Sequence, residues 1–219
     1  MSAWQTLLVI YLVLFAVSAL FVALTVALLR LVGGRASKIE LGSPPVLPLR
    51  RAEPGIRLGP LPLGAVDIAG AGEPADAPRV ERDWRGLGIA PRLLVIFGPW
   101  LALAALAVAL LGPAHAARSF GSALDQLLFT LDPTPLVRRF FALAAAAPLG
   151  VTAGILLAKL VVLNLLPFGS LAGDRGIILI LGRRELSRAA QTWIVLSMSF
   201  VMLYIGGRFA YAIVRAIVD

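Results

Sequence analysis

Residues 1–29 read MSAWQTLLVIYLVLFAVSALFVALTVALL and contain no charged side chain. As a helix rising about 1.5 Å per residue, this block would extend over roughly 40 Å, which exceeds the ~30 Å hydrocarbon core of a bilayer. The alternative is a cleaved signal peptide, because residues 16–19 (AVSA) resemble a cleavage site. However, no basic region precedes the apolar run, which is longer than the roughly 7–15 apolar residues of a signal peptide. We therefore expect a membrane-spanning helix that is not removed.

The composition of the whole chain also indicates a membrane protein. Of its 219 residues, 59% are hydrophobic and 15% are charged, whereas a soluble domain carries about 25% charged residues. The apolar residues predict four transmembrane helices, at about 4–29, 93–111, 140–166 and 190–214. We expect an α-helical integral membrane protein in which residues 1–219 form a single membrane domain. The sequence shows no internal repeat, so an inverted-repeat transporter is not supported.

The segments between the spans differ in character and in charge. Residues 33–91 are polar and rich in Gly and Pro, which predicts a loop with short strands, and residues 114–139 predict an interfacial helix ended by prolines. Basic residues are concentrated in the loops after the first and third spans. The positive-inside rule therefore predicts that both loops are cytoplasmic and that both termini lie outside the cytoplasm.

The formal net charge of +8 is explained by these arginine-rich loops. The sequence has no basic clusters interleaved with aromatic residues, so nucleic-acid binding is not expected. Nearly all basic residues are arginine and the chain is rich in Ala, Leu and Gly. This composition suggests a GC-rich bacterial genome, and hence the bacterial inner membrane as the location of the protein.

Four sequence motifs occur in the same order as in a known protein family. The third predicted span ends in NLLPFGSLAG at residues 164–173, which resembles the N-x-x-P-x-x-x-L-D-G motif of site-2 proteases, a family of intramembrane zinc metalloproteases. GRASKIELG at 34–42 is similar to the family's G-V-R-V-x-x-F-x-x-G strand, and IRLGPLPLGAV at 56–66 to its Y-x-x-x-x-L-P-L-G-G-Y hairpin. RLLVIFGP at 92–99 resembles the opening R-x-x-x-x-x-G-P of its second helix.

The four motifs are spread over residues 34–173, which is most of the chain. The resemblance implies a site-2 protease-like core, with about four transmembrane helices and a small membrane-associated β-hairpin element on the cytoplasmic side. We expect this core to lack an inserted PDZ domain.

The family's catalytic motif is missing at the place where the resemblance puts it. H-E-x-x-H would fall on residues 21–25, where the sequence has Phe21, Val22 and Thr25. The chemistry requires two histidines one helical turn apart to bind Zn²⁺ and a glutamate between them as general base. Phe21 and Val22 carry no lone pairs, and Thr25 is a poor zinc ligand at neutral pH.

The third zinc ligand of the family is also absent. Ala172 occupies the position of the ligand aspartate, and Asp174 lies two residues further on. The chain has one histidine, His115, and no cysteine, so a three-ligand zinc site cannot be assembled. Without zinc, nothing lowers the pKa of a water molecule from about 15.7 towards about 7. We expect a pseudoprotease with no catalytic residue, metal or cofactor; a Ser170–Lys159 dyad is not favoured by the spacing.

Several residues could still contact a partner or a peptide. Lys159, inside an apolar span, could extend its ammonium to the interface, pair with Asp174, or pair with an acid of another subunit. Asn164 could hydrogen-bond an extended segment, as the resemblance implies, or cap its helix. The two strands could hold an extended segment by β-addition or could be required only for packing. Their candidate contact residues are Ile56, Leu58, Leu61 and Leu63.

These observations predict a non-catalytic function in the membrane. The leading hypothesis is a structural or assembly subunit of a larger inner-membrane complex, with other integral membrane proteins and the lipid bilayer as its partners. The second is a regulator that binds a transmembrane or extended segment without cleaving it. The third is a small transporter component.

Overall fold

The computed structural model describes residues 2–50, 54–69, 84–128, 130–165 and 188–218. Within them the helices are α1 (Ala3–Leu31), α2 (Ile89–Leu111), α3 (Pro113–Leu128), α4 (Thr134–Ala146), α5 (Leu149–Leu165) and α6 (Arg188–Val218). The strands are β1 (Ala36–Ser43), β2 (Leu47–Arg50), β3 (Gly55–Leu58) and β4 (Leu61–Ile68). The predicted mostly helical fold with a small β element is confirmed. Two candidate site residues, Ala172 and Asp174, lie outside the described residues.

Two of the described helices are long and apolar enough to cross a membrane. They are Trp4–Leu31 and Ile89–Leu111, and Leu149–Leu165 is a shorter apolar helix. The first two coincide with the first two predicted spans. The number of spans, the orientation of the termini and the extent of the membrane domain stay predictions.

The chain divides into two compact units, Tyr11–Trp100 and Met1–Ile10 with Leu101–Asp219. The first unit contains a four-stranded sheet with the order β2-β3-β1-β4. β1 pairs with β3 in parallel and with β4 in antiparallel orientation, and β2 is antiparallel to β3. The prediction of a hairpin over 56–66 is therefore wrong in its pairing, because β3 and β4 lie on opposite sides of β1.

A close backbone crossing explains why β3 and β4 do not pair. The connection between them passes the end of β1, where the Gly59 amide donates a hydrogen bond to the Leu41 carbonyl oxygen at 2.9 Å. A Cβ on Gly42, whose φ is +95°, would overlap the Gly59 carbonyl oxygen, and a Cβ on Gly59 would overlap the Pro44 carbonyl oxygen. Two glycines at this point allow β1 to lie between the strands that follow it.

The sheet is joined to the helices of its own unit by an apolar core. Leu29 of α1, Ala36 of β1 and Val95 of α2 are buried together, and half-buried apolar residues of α1, β1, β4 and the Trp84 region pack around them. This core lies at the end of α1 that leads directly into β1. It holds the start of the sheet against the C-terminal end of α1.

In the other unit, α3 packs against α5 and α4 packs against α6. The stretch predicted as one span at 140–166 is instead divided between α4 and α5. The break lies at Ala147, whose backbone is extended with φ −84° and ψ 156°. Pro148 follows, and its ring disfavours the helical conformation in the preceding residue. The segment predicted to be interfacial contains the amphipathic helix α3.

Candidate functional site

Phe21, Val22 and Thr25, where the sequence resemblance would place a catalytic motif, lie together on α1 and are packed. The Phe21 ring contacts the Trp100 ring, with centroids 4.4 Å apart. Val22 is 4% exposed. Thr25 is also buried, and its hydroxyl donates a hydrogen bond to the Phe21 carbonyl oxygen at 2.8 Å. Each position therefore makes a packing contact or a bond within its own helix.

Strand β4 lies directly against this part of α1. A Cβ on Gly64 would be 2.6 Å from both the Ser18 hydroxyl oxygen and the Val22 Cγ2 atom, and 3.2 Å from the Ser18 carbonyl oxygen. Such distances are far below an ordinary van der Waals contact of about 3.5–4.0 Å between carbon atoms. Gly64 therefore brings the strand into contact with the helix where the resemblance would place a metal and its water.

Metal-binding side chains are not grouped in the described part of the chain. Among those residues, no cluster of three His, Cys, Asp or Glu could hold a metal ion. His115 is exposed on α3. The side chains of Phe21, Val22 and Thr25 contain a single oxygen, that of the Thr25 hydroxyl, which donates its hydrogen to the Phe21 carbonyl oxygen.

The four candidate contact residues on the strands have different environments. Ile56 and Leu58 are half-buried on β3, in the interior of the sheet, whereas Leu61 and Leu63 on β4 are exposed. Across the described residues, no strand pairs with the outer edge of β4. The structure therefore separates them into an interior pair and an edge pair.

The N-terminal end of β4 is attached to α1. The Tyr11 hydroxyl donates a hydrogen bond of 2.6 Å to the Pro60 carbonyl oxygen. Together with the contact of Gly64 with Val22, this bond shows that β4 runs alongside α1.

Polarity changes along the strands of the sheet. Near the C-terminal end of α1, Lys38 forms an ion pair with Glu40, and its ammonium is 3.9 Å from the Asp67 carboxylate. At the opposite end of the strands, the exposed side chains are apolar and include Leu47 and Leu61. The sheet thus has one charged end and one apolar end.

Lys159 on α5 is engaged by two serines that the sequence reasoning missed. Its ammonium donates hydrogen bonds to the Ser119 carbonyl oxygen at 3.2 Å and to the Ser122 hydroxyl at 2.9 Å. Both serines belong to α3, and their spacing of three residues places them on one face of that helix. No sequence signal could have identified Ser119, because it contributes its backbone carbonyl oxygen. Pairing of Lys159 with Asp174 stays a prediction.

Asn164 lies near the end of α5. Its amide nitrogen donates a hydrogen bond of 2.9 Å to the Leu160 carbonyl oxygen. The side chain therefore binds a carbonyl group in the last turn of its own helix, which favours the local role over contact with an extended segment.

Comparison with known proteins gives no match: no family model, curated protein or solved structure is similar to this chain. The similarity to site-2 proteases therefore rests on the four sequence motifs.

Proposed function

We propose that the chain is a catalytically inactive, site-2 protease-like membrane protein that serves as a structural or assembly subunit of a larger inner-membrane complex. The observation that carries this proposal is the packing of the former catalytic positions. Phe21 stacks on Trp100, Val22 faces Gly64, and the Thr25 hydroxyl binds its own helix. An apolar contact between α1 and β4 takes the place of a metal centre.

The proposal is tested by metal analysis and by purification from native membranes. The protein purified in a mild detergent should contain no stoichiometric zinc, and it should copurify with other integral membrane proteins in a fixed ratio. Deletion of its gene should prevent assembly of that complex. Chelator-sensitive peptide-bond cleavage by the purified protein, or a monomer with no constant partner, would refute the proposal.

The position of β4 supports a membrane-associated sheet. Tyr11 and Leu31 are 20 residues apart on α1, which corresponds to roughly 30 Å along the helix. Because β4 follows α1 from its C-terminal end to Tyr11, a membrane-spanning α1 would carry the apolar end of the sheet into the bilayer. The charged end of the sheet would stay near the C-terminal end of α1.

A sheet edge at that depth requires a partner. Unpaired backbone N–H and C=O groups cost several kcal/mol each in hydrocarbon, so lipid-exposed sheet edges do not occur there. The outer edge of β4 could be satisfied by an extended segment of another protein, added as a further strand. This edge favours the second candidate function, a regulator that holds a peptide segment without cleaving it.

Matched substitutions on the two edge strands separate these functions. Leu63 on β4 and Leu47 on β2 are 60% and 59% exposed. A photo-crosslinking amino acid at position 63 should join the chain to its partner in native membranes, and Leu63→Lys should abolish binding while the protein stays folded. Leu47→Lys serves as the control. Equal losses from both substitutions would contradict recognition by the β4 edge.

A further inference from the structure

Lys159 is a half-buried cation whose charge no acid among the described residues neutralises. Its ammonium donates hydrogen bonds to the Ser122 hydroxyl at 2.9 Å and to the Ser119 carbonyl oxygen at 3.2 Å. Both acceptors are uncharged, and Lys159 forms no ion pair in the described part of the chain. Because an ammonium group has three N–H donors, one donor and the positive charge are left for a further group.

The two acceptors hold the Lys159 ammonium against α3, which belongs to the segment predicted to be interfacial. α3 packs on α5, and it buries Ala116 and Ala123 while Arg118 and Asp125 are exposed. A helix with small apolar side chains towards the protein and charges on its exposed side suits the headgroup region, because hydrocarbon disfavours exposed charges. A lysine whose stem lies on an apolar helix typically extends its ammonium to that level.

Arg118 provides a second positive charge on the same helix. It precedes Ser122 by four residues, so both lie on one face of α3. Within the described ranges Arg118, like Lys159, forms no ion pair. Asp125 follows Ser122 by three residues and offsets one of the two charges, which leaves an excess of one positive charge. The surface beside Ser122 is open, since a Cβ on Gly121 would meet nothing within 4 Å.

These donors are suited to a phosphate group. Ammonium and guanidinium groups bind phosphate oxygens through short, charge-assisted hydrogen bonds. In the headgroup region the phosphates of lipids are abundant, and basic sites between membrane helices bind anionic headgroups. A carboxylate on a transmembrane helix of another protein is the competing ligand, but acids are rare within such helices.

We propose that Lys159 and Arg118 bind the phosphate of an anionic lipid at the exposed surface of α3. The Ser122 hydroxyl and the Ser119 carbonyl oxygen hold the ammonium in place, and its third N–H faces the ligand. This site goes beyond the proposed function, because it requires only that the chain lies in a membrane.

The test compares anionic and zwitterionic lipids on the full-length protein in a neutral detergent. The protein is titrated with phosphatidylglycerol, phosphatidylcholine or inorganic phosphate, and affinity is obtained from the increase in Tm over that of each variant in detergent alone. Phosphatidylglycerol should bind more tightly than phosphatidylcholine, and inorganic phosphate at the same concentration should have no effect. Lys159→Gln and Arg118→Gln should each weaken binding of phosphatidylglycerol about fivefold, and Lys159→Arg should retain part of the affinity.

Arg139→Gln is the matched control, since it removes an exposed cation of α4 in the same unit. It should leave the affinity for phosphatidylglycerol unchanged. Equal losses from Arg118→Gln and Arg139→Gln would show a general effect of surface charge and overturn the inference. Circular dichroism verifies that each variant is folded, and the exposed position of Arg118 allows a decision even where Lys159→Gln does not fold.

Two further results would also overturn the inference. The first is binding of inorganic phosphate as tight as that of phosphatidylglycerol, which would assign the site to a free anion. The second is tighter lipid binding by Asp174→Asn, which would mean that the Asp174 carboxylate already occupies the Lys159 ammonium. None of these results would alter the zinc content or the copurification that test the proposed function.

Discussion

Substitution of Gly64 by alanine tests the contact between β4 and the part of α1 that contains Ser18 and Val22. The added Cβ would lie 2.6 Å from the Val22 Cγ2 atom and 3.2 Å from the Ser18 carbonyl oxygen. The carbonyl cannot move without the helix, and Val22 is restricted in χ1 because it is β-branched. We expect overpacking to lower the free energy of unfolding by about 1–3 kcal/mol.

Thermal unfolding in detergent, followed by circular dichroism, measures this effect. For a chain of this length, the expected cost corresponds to a decrease in Tm of about 2–12 °C. Gly121→Ala on α3 is the control, since its Cβ would meet nothing within 4 Å and alanine in a helix stabilises by about 0.5–1 kcal/mol relative to glycine. Gly121→Ala should therefore leave Tm unchanged or raise it.

A double-mutant cycle with Val22→Ala determines whether the contact is direct. Val22→Ala removes the Cγ2 atom that the new Cβ would meet, so Gly64→Ala should cost less in that background, by about 1 kcal/mol. If the two effects add within about 0.3–0.5 kcal/mol, the residues do not interact. That result would refute the packing of β4 on α1, and with it the observation that carries the proposed function.

Three further predictions concern other bonds in the chain. Ser122→Ala should cost about 1–3 kcal/mol because it leaves a Lys159 donor unfilled. The cost should be smaller in Lys159→Met, where only the 3.3 Å hydrogen bond from the Ser122 hydroxyl to the Ser119 carbonyl oxygen is lost; an equal cost in both backgrounds would contradict the bond between Lys159 and Ser122. The adjacent Thr134 side chain and the hydrogen bond from the Thr134 amide lower the pKa of Asp132 below 3.8. Its contribution to stability should therefore be complete above that pH and lost as the pH falls through the lower, folded value, so that Asp132→Asn and wild type differ in Tm at pH 6 and converge in strong acid. Tyr11→Phe should lower the free energy of unfolding by about 0.5–1.5 kcal/mol, because it removes the hydrogen bond to the Pro60 carbonyl oxygen. Tyr204→Phe should have no effect, since within the described ranges the Tyr204 hydroxyl forms no hydrogen bond.

Some features of the candidate site were accessible from the sequence and others were not. The absence of His and Glu at Phe21, Val22 and Thr25 is a property of residue types, so it needs no coordinates. Which residues pack against Phe21 and Val22 is a property of the tertiary structure, because Trp100 and Gly64 are distant in sequence from α1. The partners of Lys159 were missed for the same reason: Ser119 and Ser122 lie about 40 positions earlier on a different helix.

The pairing of the sheet was wrong in the sequence prediction because strand order depends on how the chain crosses itself. IRLGPLPLG has the appearance of a hairpin, with a Gly-Pro connection between two apolar runs. The strand order depends on Gly42 and Gly59, where two backbone segments pass so closely that a Cβ on either residue would overlap the other segment. The interruption at Ala147 is, in contrast, indicated in the sequence by Pro148. The long apolar stretch on both sides of this proline nevertheless predicts one continuous span.

The sequence by itself determined that the chain forms long apolar helices, and it predicts the absence of zinc chemistry. Both follow from residue types, since the free energy of transfer into a bilayer is nearly additive along a chain and ligands must have lone pairs. The tertiary structure alone decided that β1 lies between β3 and β4 and that β4 packs on Val22. These features depend on contacts between residues far apart in the chain, where packing distances of a few tenths of an ångström select one arrangement.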